Sequence, residues 1–204
     1  MEKMPIPSLT KNIIEGIINI KDDLLFNSKE EIEVEIYINN KKVKIIKEGK
    51  KYKLDNNIKK EKYEFKIYFK NKIQNIYFEN CINLYSIDFT NFDTSNITDM
   101  EGMFNHCHEL KEIKGINKFN TSKVTNMGAM FQECNNLINL DLNFDTSNVS
   151  DMGFMFNLCK ELKEIKGINK FNTRKVSNMS AMFQECNNLI NLVLNFDKSK
   201  YNNS

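Results

Sequence analysis

The block FNTSKVTNMGAMFQECNNLINL, residues 119–140, returns 52 positions later as FNTRKVSNMSAMFQECNNLINL, residues 171–192. A unit used twice at fixed spacing must present a surface that accepts its own copy, which restricts the chain to stacked repeats. Five cysteines at 81, 107, 134, 159 and 186 reveal a finer period, with spacings of 26, 27, 25 and 27 residues. Each Phe at 92, 119, 144 and 171 is followed 18 residues later by Leu110, Leu137, Leu162 or Leu189. The length from each Leu to the next Phe alternates between 9 and 7 residues, so all variation sits in one loop.

Within the constant part the apolar positions recur: Ile97, Met100, Met103, Phe104 and Cys107, then Val124, Met127, Met130, Phe131 and Cys134. Steps of 3, 1 and 3 between Met, Met, Phe and Cys predict one face of a short helix. Thr98, Thr125, Ser150 and Ser177 stand two residues before the first Met of each copy, placed to cap that helix, and Glu101 completes a capping box with Thr98. After each Cys comes a strand candidate, ELKEIKGI or NLINLDLNF, in an L-x-x-L-x-L pattern. The expected fold is therefore a repeat solenoid of leucine-rich-repeat type, with one short strand and one short helical segment per turn, over residues 73–204.

The repeats FDTSNITDMEGMFNHC (92–107) and FDTSNVSDMGFMFNLC (144–159) resemble those of the BspA-like leucine-rich-repeat proteins, a bacterial surface-protein repeat of about 26 residues. The resemblance spans roughly residues 77–197. It implies a right-handed solenoid used for adhesion or protein binding, often displayed on cells, and it implies no catalytic residue.

Residues 1–72 differ in character. EIEVEIYINNKKVKII (31–46) alternates apolar and polar residues up to an Asn-Asn turn, a hairpin signal, and KYEFKIYFK (62–70) alternates likewise. IIEGIINI (13–20) reads as a strand with a helix as rival. These segments predict a small antiparallel β domain that caps the first turn, with Lys residues protecting its edges.

Composition narrows the function. Residues 1–72 carry 17 Lys against 12 acidic residues and the remainder 12 basic against 15 acidic, so neither half has the basic excess of a nucleic-acid binder. No apolar run is long enough for a membrane span or signal peptide, which places the chain in the cytoplasm as it stands and on the cell surface if it belongs to an exported protein. An odd number of cysteines at repeat spacing argues for an inert ladder of free thiols rather than disulfides.

The sequence HCH at 106–108 invites zinc, but the equivalent triplets elsewhere keep Cys without His, so no metal site is expected. FDTS motifs at Asp93 and Asp145 invite calcium, but Asn120 and Asn172 replace Asp in alternate turns, which favours local turn bonds. No phosphate loop or nucleophile constellation stands out, so neither catalytic nor cofactor-binding residues are expected.

The positions left for function are those flanking the inward strand residues: Ser86, Asp88, Glu112, Lys114, Asn139, Asp141, Glu164, Lys166, Asn191 and Val193. They predict a non-enzymatic interaction module whose sheet face binds a protein partner or a glycan. The alternatives are a self-assembling structural or surface-coat segment that pairs through its C-terminal edge, and a thiol or metal-binding module.

Overall fold

A computed structural model describes residues 12–19, 24–54, 62–190 and 192. Seven strands precede the repeats: β1 (Ile13–Asn19), β2 (Leu24–Asn27), β3 (Val34–Ile38), β4 (Lys41–Lys42), β5 (Ile45–Glu48), β6 (Lys51–Leu54) and β7 (Lys62–Phe69). Four more lie in the repeats: β8 (Leu84–Asn91), β9 (Glu112–Lys114), β10 (Asn139–Asp141) and β11 (Glu164–Lys166). They form three sheets, of order β4-β3-β7-β1-β8-β9, β2-β6-β5 and β10-β11.

Alternation builds the first part. In β7 Phe65, Ile67 and Phe69 are buried while the residues between them are not, as the two-residue period of a strand dictates. Asn39 and Asn40 both take left-handed φ, 46° and 62°, and turn β3 into β4. Of the segment 13–20, for which a helix was the rival, residues 13–19 form β1, antiparallel to both β7 and β8, and residue 20 lies outside the described residues. Through β8 the antiparallel strands are thus hydrogen-bonded directly to the first repeats, and β8 continues into β9 in parallel register.

The expected helix in each repeat does not form. Among the described residues there is no α-helix, only two single 3₁₀ turns at Ile116–Lys118 and Ile168–Lys170. The Met-Met-Phe-Cys segments are instead chains of hydrogen-bonded turns. Gly102 and His106, Ala129 and Glu133, Phe154 and Leu158, and Ala181 and Glu185 all have φ between 53° and 62°, which interrupts a right-handed helix every four residues.

Their N–H groups explain why. Alternate ones reach back three residues, as in Met103 to Met100 and Cys107 to Phe104. The others bond the following repeat: Met100 to the carbonyl of Asn126, Gly102 to Gly128, Phe104 to Met130 and His106 to Gln132. A strand-plus-helix solenoid is therefore corrected to a β-rich fold of small sheets, in which tight turns replace the helical arm.

The capping residues are corrected with it. Thr125, Ser150 and Ser177 hydroxyls donate to carbonyls one repeat back, at Thr98, Thr125 and Ser150. Turn N–H groups are answered instead by Asp99, Asn126, Asp151 and Asn178, whose side-chain oxygens accept from the backbone two residues on. Glu101 accepts from Asn126 rather than closing a capping box.

Layer-to-layer packing follows the period. Phe78, Phe104, Phe131, Phe156 and Phe183 stack with ring centroids 5.9, 5.7, 5.5 and 5.4 Å apart and nearly parallel planes. Phe119, Phe144 and Phe171 make a second column at 6.2 and 6.3 Å. Fully burying each such ring contributes about 1.5–3 kcal/mol, and one continuous core runs from these columns into the Phe26–Tyr52 stack beside β7.

Candidate functional site

The three-residue strands set the outward face. In β8·β9 Ser86 pairs with Glu112 and Asp88 with Lys114 on either side of inward Ile87 and Ile113. In β10·β11 Asn139 pairs with Glu164 and Asp141 with Lys166 around inward Leu140 and Ile165. Eight of the ten residues singled out in the sequence thus share one face as two polar bands. Asn191 and Val193, and the C-terminal edge beyond them, lie outside the described residues.

The bands are separated by a groove that the sequence did not disclose. β9 and β10 belong to different sheets, and no backbone hydrogen bond joins them among the described residues. Between them lies a concavity of about 520 Å³ bounded by Lys111, Glu112 and Asn117 on one side and Ile138, Asn139 and Asp141 on the other. Glu164 and Lys166 complete it.

The cause is the longer connection. Gly115 has φ 75°, and a Cβ there would stand 2.7 Å from the Thr90 nitrogen; Gly167 has φ 83°, and a Cβ would meet the Leu142 carbonyl oxygen at 1.8 Å. Both long connections lean back onto the preceding repeat. After the first, β10 makes no backbone hydrogen bond to β9 among the described residues. After the second a single long bond, Ile190 N–H to the Lys163 carbonyl at 3.3 Å, joins the two sides.

A second groove of about 340 Å³ recurs 52 residues later, between Lys163, Glu164 and Asn169 and the pair Leu189 and Ile190. Ile138 and Ile190, at the same place in the two grooves, are 41% and 66% exposed. Each groove therefore offers an apolar contact rimmed by charge. Asn117 donates to Asp141 at 3.3 Å across the first. Lys114 and Glu112 approach to 3.7 Å on the same strand, but both side chains are more than half exposed, so the pair is screened and available to a partner.

The β8·β9 band extends sideways into the N-terminal strands. Ser86, Asp88, Glu112 and Lys114 share a shallow depression of about 230 Å³ with Glu15, Glu64 and Lys66. Lys66 pairs with Glu15 at 3.3 Å.

The thiols are not part of this face. Each donates to a carbonyl one layer back: Cys81 to Leu25 at 3.1 Å, Cys107 to Phe78 at 3.0 Å, Cys134 to Phe104 at 3.2 Å, Cys159 to Phe131 at 3.0 Å and Cys186 to Phe156 at 2.9 Å. All five are free, and burial pushes every one above the ordinary thiol range, Cys186 to about 11. Protonated, and enclosed except for the partly exposed Cys186, they are poor nucleophiles.

The FDTS motifs are turns: the Asp93 and Asp145 carboxylates accept from the N–H groups of Ser95 and Ser147, and Asn120 and Asn172 make the same bond. The Ser95 N–H and hydroxyl hold the Asp93 carboxyl below the usual carboxylate range, and the Ser147 hydroxyl, followed by its N–H, does the same for Asp145.

In the HCH triplet Cys107 turns inward while His106 and His108 remain half-exposed beside Glu133. Sequence reading did not associate Glu133 with them. Alignment on the cysteines would have shown it, since Glu133 precedes Cys134 as His106 precedes Cys107.

Among the described residues no helix is long and apolar enough to cross a membrane. A family model described as Mycoplasma protein of unknown function, DUF285, matches residues 71–196. No curated protein and no solved structure matches the chain. The resemblance to BspA-like leucine-rich-repeat proteins is accordingly corrected, as are the leucine-rich-repeat and solenoid descriptions. The matching family is the Mycoplasma one, and the β-rich fold lacks the helical arm those descriptions require.

Proposed function

We propose that this chain, which belongs to the Mycoplasma protein family of unknown function DUF285, is a non-enzymatic interaction module that holds a protein partner along its outward strand face. The observation that carries the reading is the groove between β9 and β10. It collects Glu112, Asn139, Asp141, Glu164 and Lys166 around exposed Ile138, and an equivalent groove follows 52 residues on.

An extended segment of a partner suits such a place. Two short strands part there, leaving main-chain groups along their facing edges, while alternating charges on the rim select complementary side chains. Four of the five protonated thiols are enclosed and all five are poor nucleophiles, which favours binding over covalent chemistry.

The test compares wild type with a variant carrying Glu112→Ala, Lys114→Ala, Glu164→Ala and Lys166→Ala as baits in native extract, with crosslinking and quantitative mass spectrometry. The expected result is a partner enriched on wild type and reduced at least tenfold on the variant, with both melting at the same temperature. Equal enrichment of every captured protein on the two baits sinks the reading.

A further inference from the structure

We propose that His106, His108 and Glu133 form a binding site for a first-row divalent transition metal, with zinc the ion their donor set fits best. The placement starts from Cys107. Its side chain is fully buried and its thiol is held by the Phe78 carbonyl, so both flanking residues are turned away from the core. Those residues are the chain's only two histidines. Their rings stand 5.8 Å apart, nearly perpendicular.

Glu133 reaches the same place from the next repeat. It occupies the His106 offset 27 residues on, and both residues share the left-handed backbone that ends their turn, φ 59° and 58°. The His106 N–H bonds the Gln132 carbonyl at 2.9 Å, which fixes the two repeats side by side at this point.

The donor atoms then converge. Glu133 Oε2 lies 3.2 Å from His106 Nδ1 and 3.3 Å from His108 Nε2, and all three ligand atoms lie within 4.8 Å of one another. A tetrahedral zinc with bonds of about 2.0–2.1 Å places neighbouring ligand atoms about 3.3 Å apart. The two His–Glu separations, which also suit hydrogen bonds, match a tetrahedron's edges, and the His106–His108 donor separation, within 4.8 Å, needs only a small rotation of one ring to close.

Two imidazoles and a carboxylate are a donor set used by zinc, and with three protein ligands the fourth position is open to water or to an incoming ligand. The side chains of His106, His108 and Glu133 are 34%, 40% and 26% exposed, so that position faces solvent.

The arrangement breaks the repeat rather than following from it. The positions flanking the other cysteines are Asn80 and Ile82, Glu133 and Asn135, Leu158 and Lys160, and Glu185 and Asn187. None of these pairs offers two imidazoles, so the stacking pattern does not require the histidines.

The test uses the full chain without an affinity tag, stripped with chelator and titrated with zinc by calorimetry, with cobalt(II) as a spectroscopic substitute. The expected result is one equivalent bound, the visible absorption of tetrahedral cobalt without a thiolate band, and at least tenfold weaker binding in His108→Gln and in Glu133→Gln. Histidine nitrogen NMR on wild type gives a check independent of any substitution. Added zinc should shift Nδ1 of one ring and Nε2 of the other. Absence of a stoichiometric site, affinity unchanged in both variants, or histidine nitrogens unmoved by zinc would each overturn the proposal.

Discussion

The thiol of Cys134 donates to the carbonyl oxygen of Phe104, one repeat back, at 3.2 Å. The bond places a titratable proton inside the stack, because the only way to ionise Cys134 is to leave a buried charge against a carbonyl.

That proton makes stability depend on alkaline pH. Burial raises the thiols above their ordinary value of 9.0, Cys186 to about 11, so the folded chain holds these protons more tightly than the unfolded one. The Cys186 contribution is complete below pH 9 and is lost as the pH rises toward and through 11, while that of the four more deeply buried thiols goes on being lost above it. Thermal melts should be flat with respect to the thiols up to pH 9 and fall above it, and replacing Cys186 with Ala should make that fall less steep by one thiol's share. An unchanged slope in Cys186→Ala would contradict the assignment.

Thiol labelling gives a kinetic counterpart. Cys107 and Cys134 are fully buried whereas Cys186 is partly exposed. Cys186 should react first, while Cys134 reacts only through opening, slowed about 10³-fold or more relative to denatured protein. Mass spectrometry of timed aliquots reads the order directly.

Met130→Asp should cost about 3–5 kcal/mol, since Met130 is fully buried and the carboxylate would have no partner there. Lys114→Ala, on the exposed band, should stay within about 0.5 kcal/mol. Denaturant melts of the two variants that came out equal would mean that inward and outward faces have been exchanged.

Gly167 and Gly49 separate crowding from backbone strain. Both have left-handed φ, 83° and 59°, but a Cβ at 49 meets nothing within 4 Å, whereas at 167 it collides with the Leu142 carbonyl oxygen. Gly49→Ala should cost about 1 kcal/mol and Gly167→Ala about 3 kcal/mol or more. The larger loss should come with a reshaped second groove, seen as amide NMR shifts at Lys163 and Ile190.

Asp151→Ala should cost about 1–2 kcal/mol, because its carboxylate accepts from the Gly153 N–H at 2.8 Å and from the Asn178 side chain at 3.0 and 3.1 Å. Ser150→Ala, which loses one exposed bond to Thr125, should cost about 0.5 kcal/mol. A reversal of this order in thermal melts would restore Ser150 as the capping residue.

The inward positions were legible in the sequence because stacking repeats them: Val124, Met127, Met130, Phe131, Cys134, Leu137 and Leu140 are all buried. Their local conformation was not. Steps of 3, 1 and 3 satisfy a helix, but they equally satisfy successive tight turns, and the deciding φ values fall on residues such as Ala129 and Glu133 that carry no left-handed preference. The capping reading of Ser150 failed for a related reason, since a hydroxyl can serve its own turn or the next layer.

The outward residues were visible as letters between the apolar ones, yet their division into two bands was hidden. It depends on where the connection carrying Gly115 leans, and that is a contact with Thr90 far back in the chain. Glu133 was hidden in the same way, because it approaches His106 only across repeats.

The backward lean of each long connection also fixes the step by which such a chain can change length. Removing or adding one repeat would set two long or two short connections side by side and leave a Gly without its neighbour. Adding a pair keeps the alternation of long and short connections and contributes one more groove at the same offset. On the proposed reading, growth by 52 residues would change how many grooves lie along the face, so overall avidity could rise without any new kind of contact.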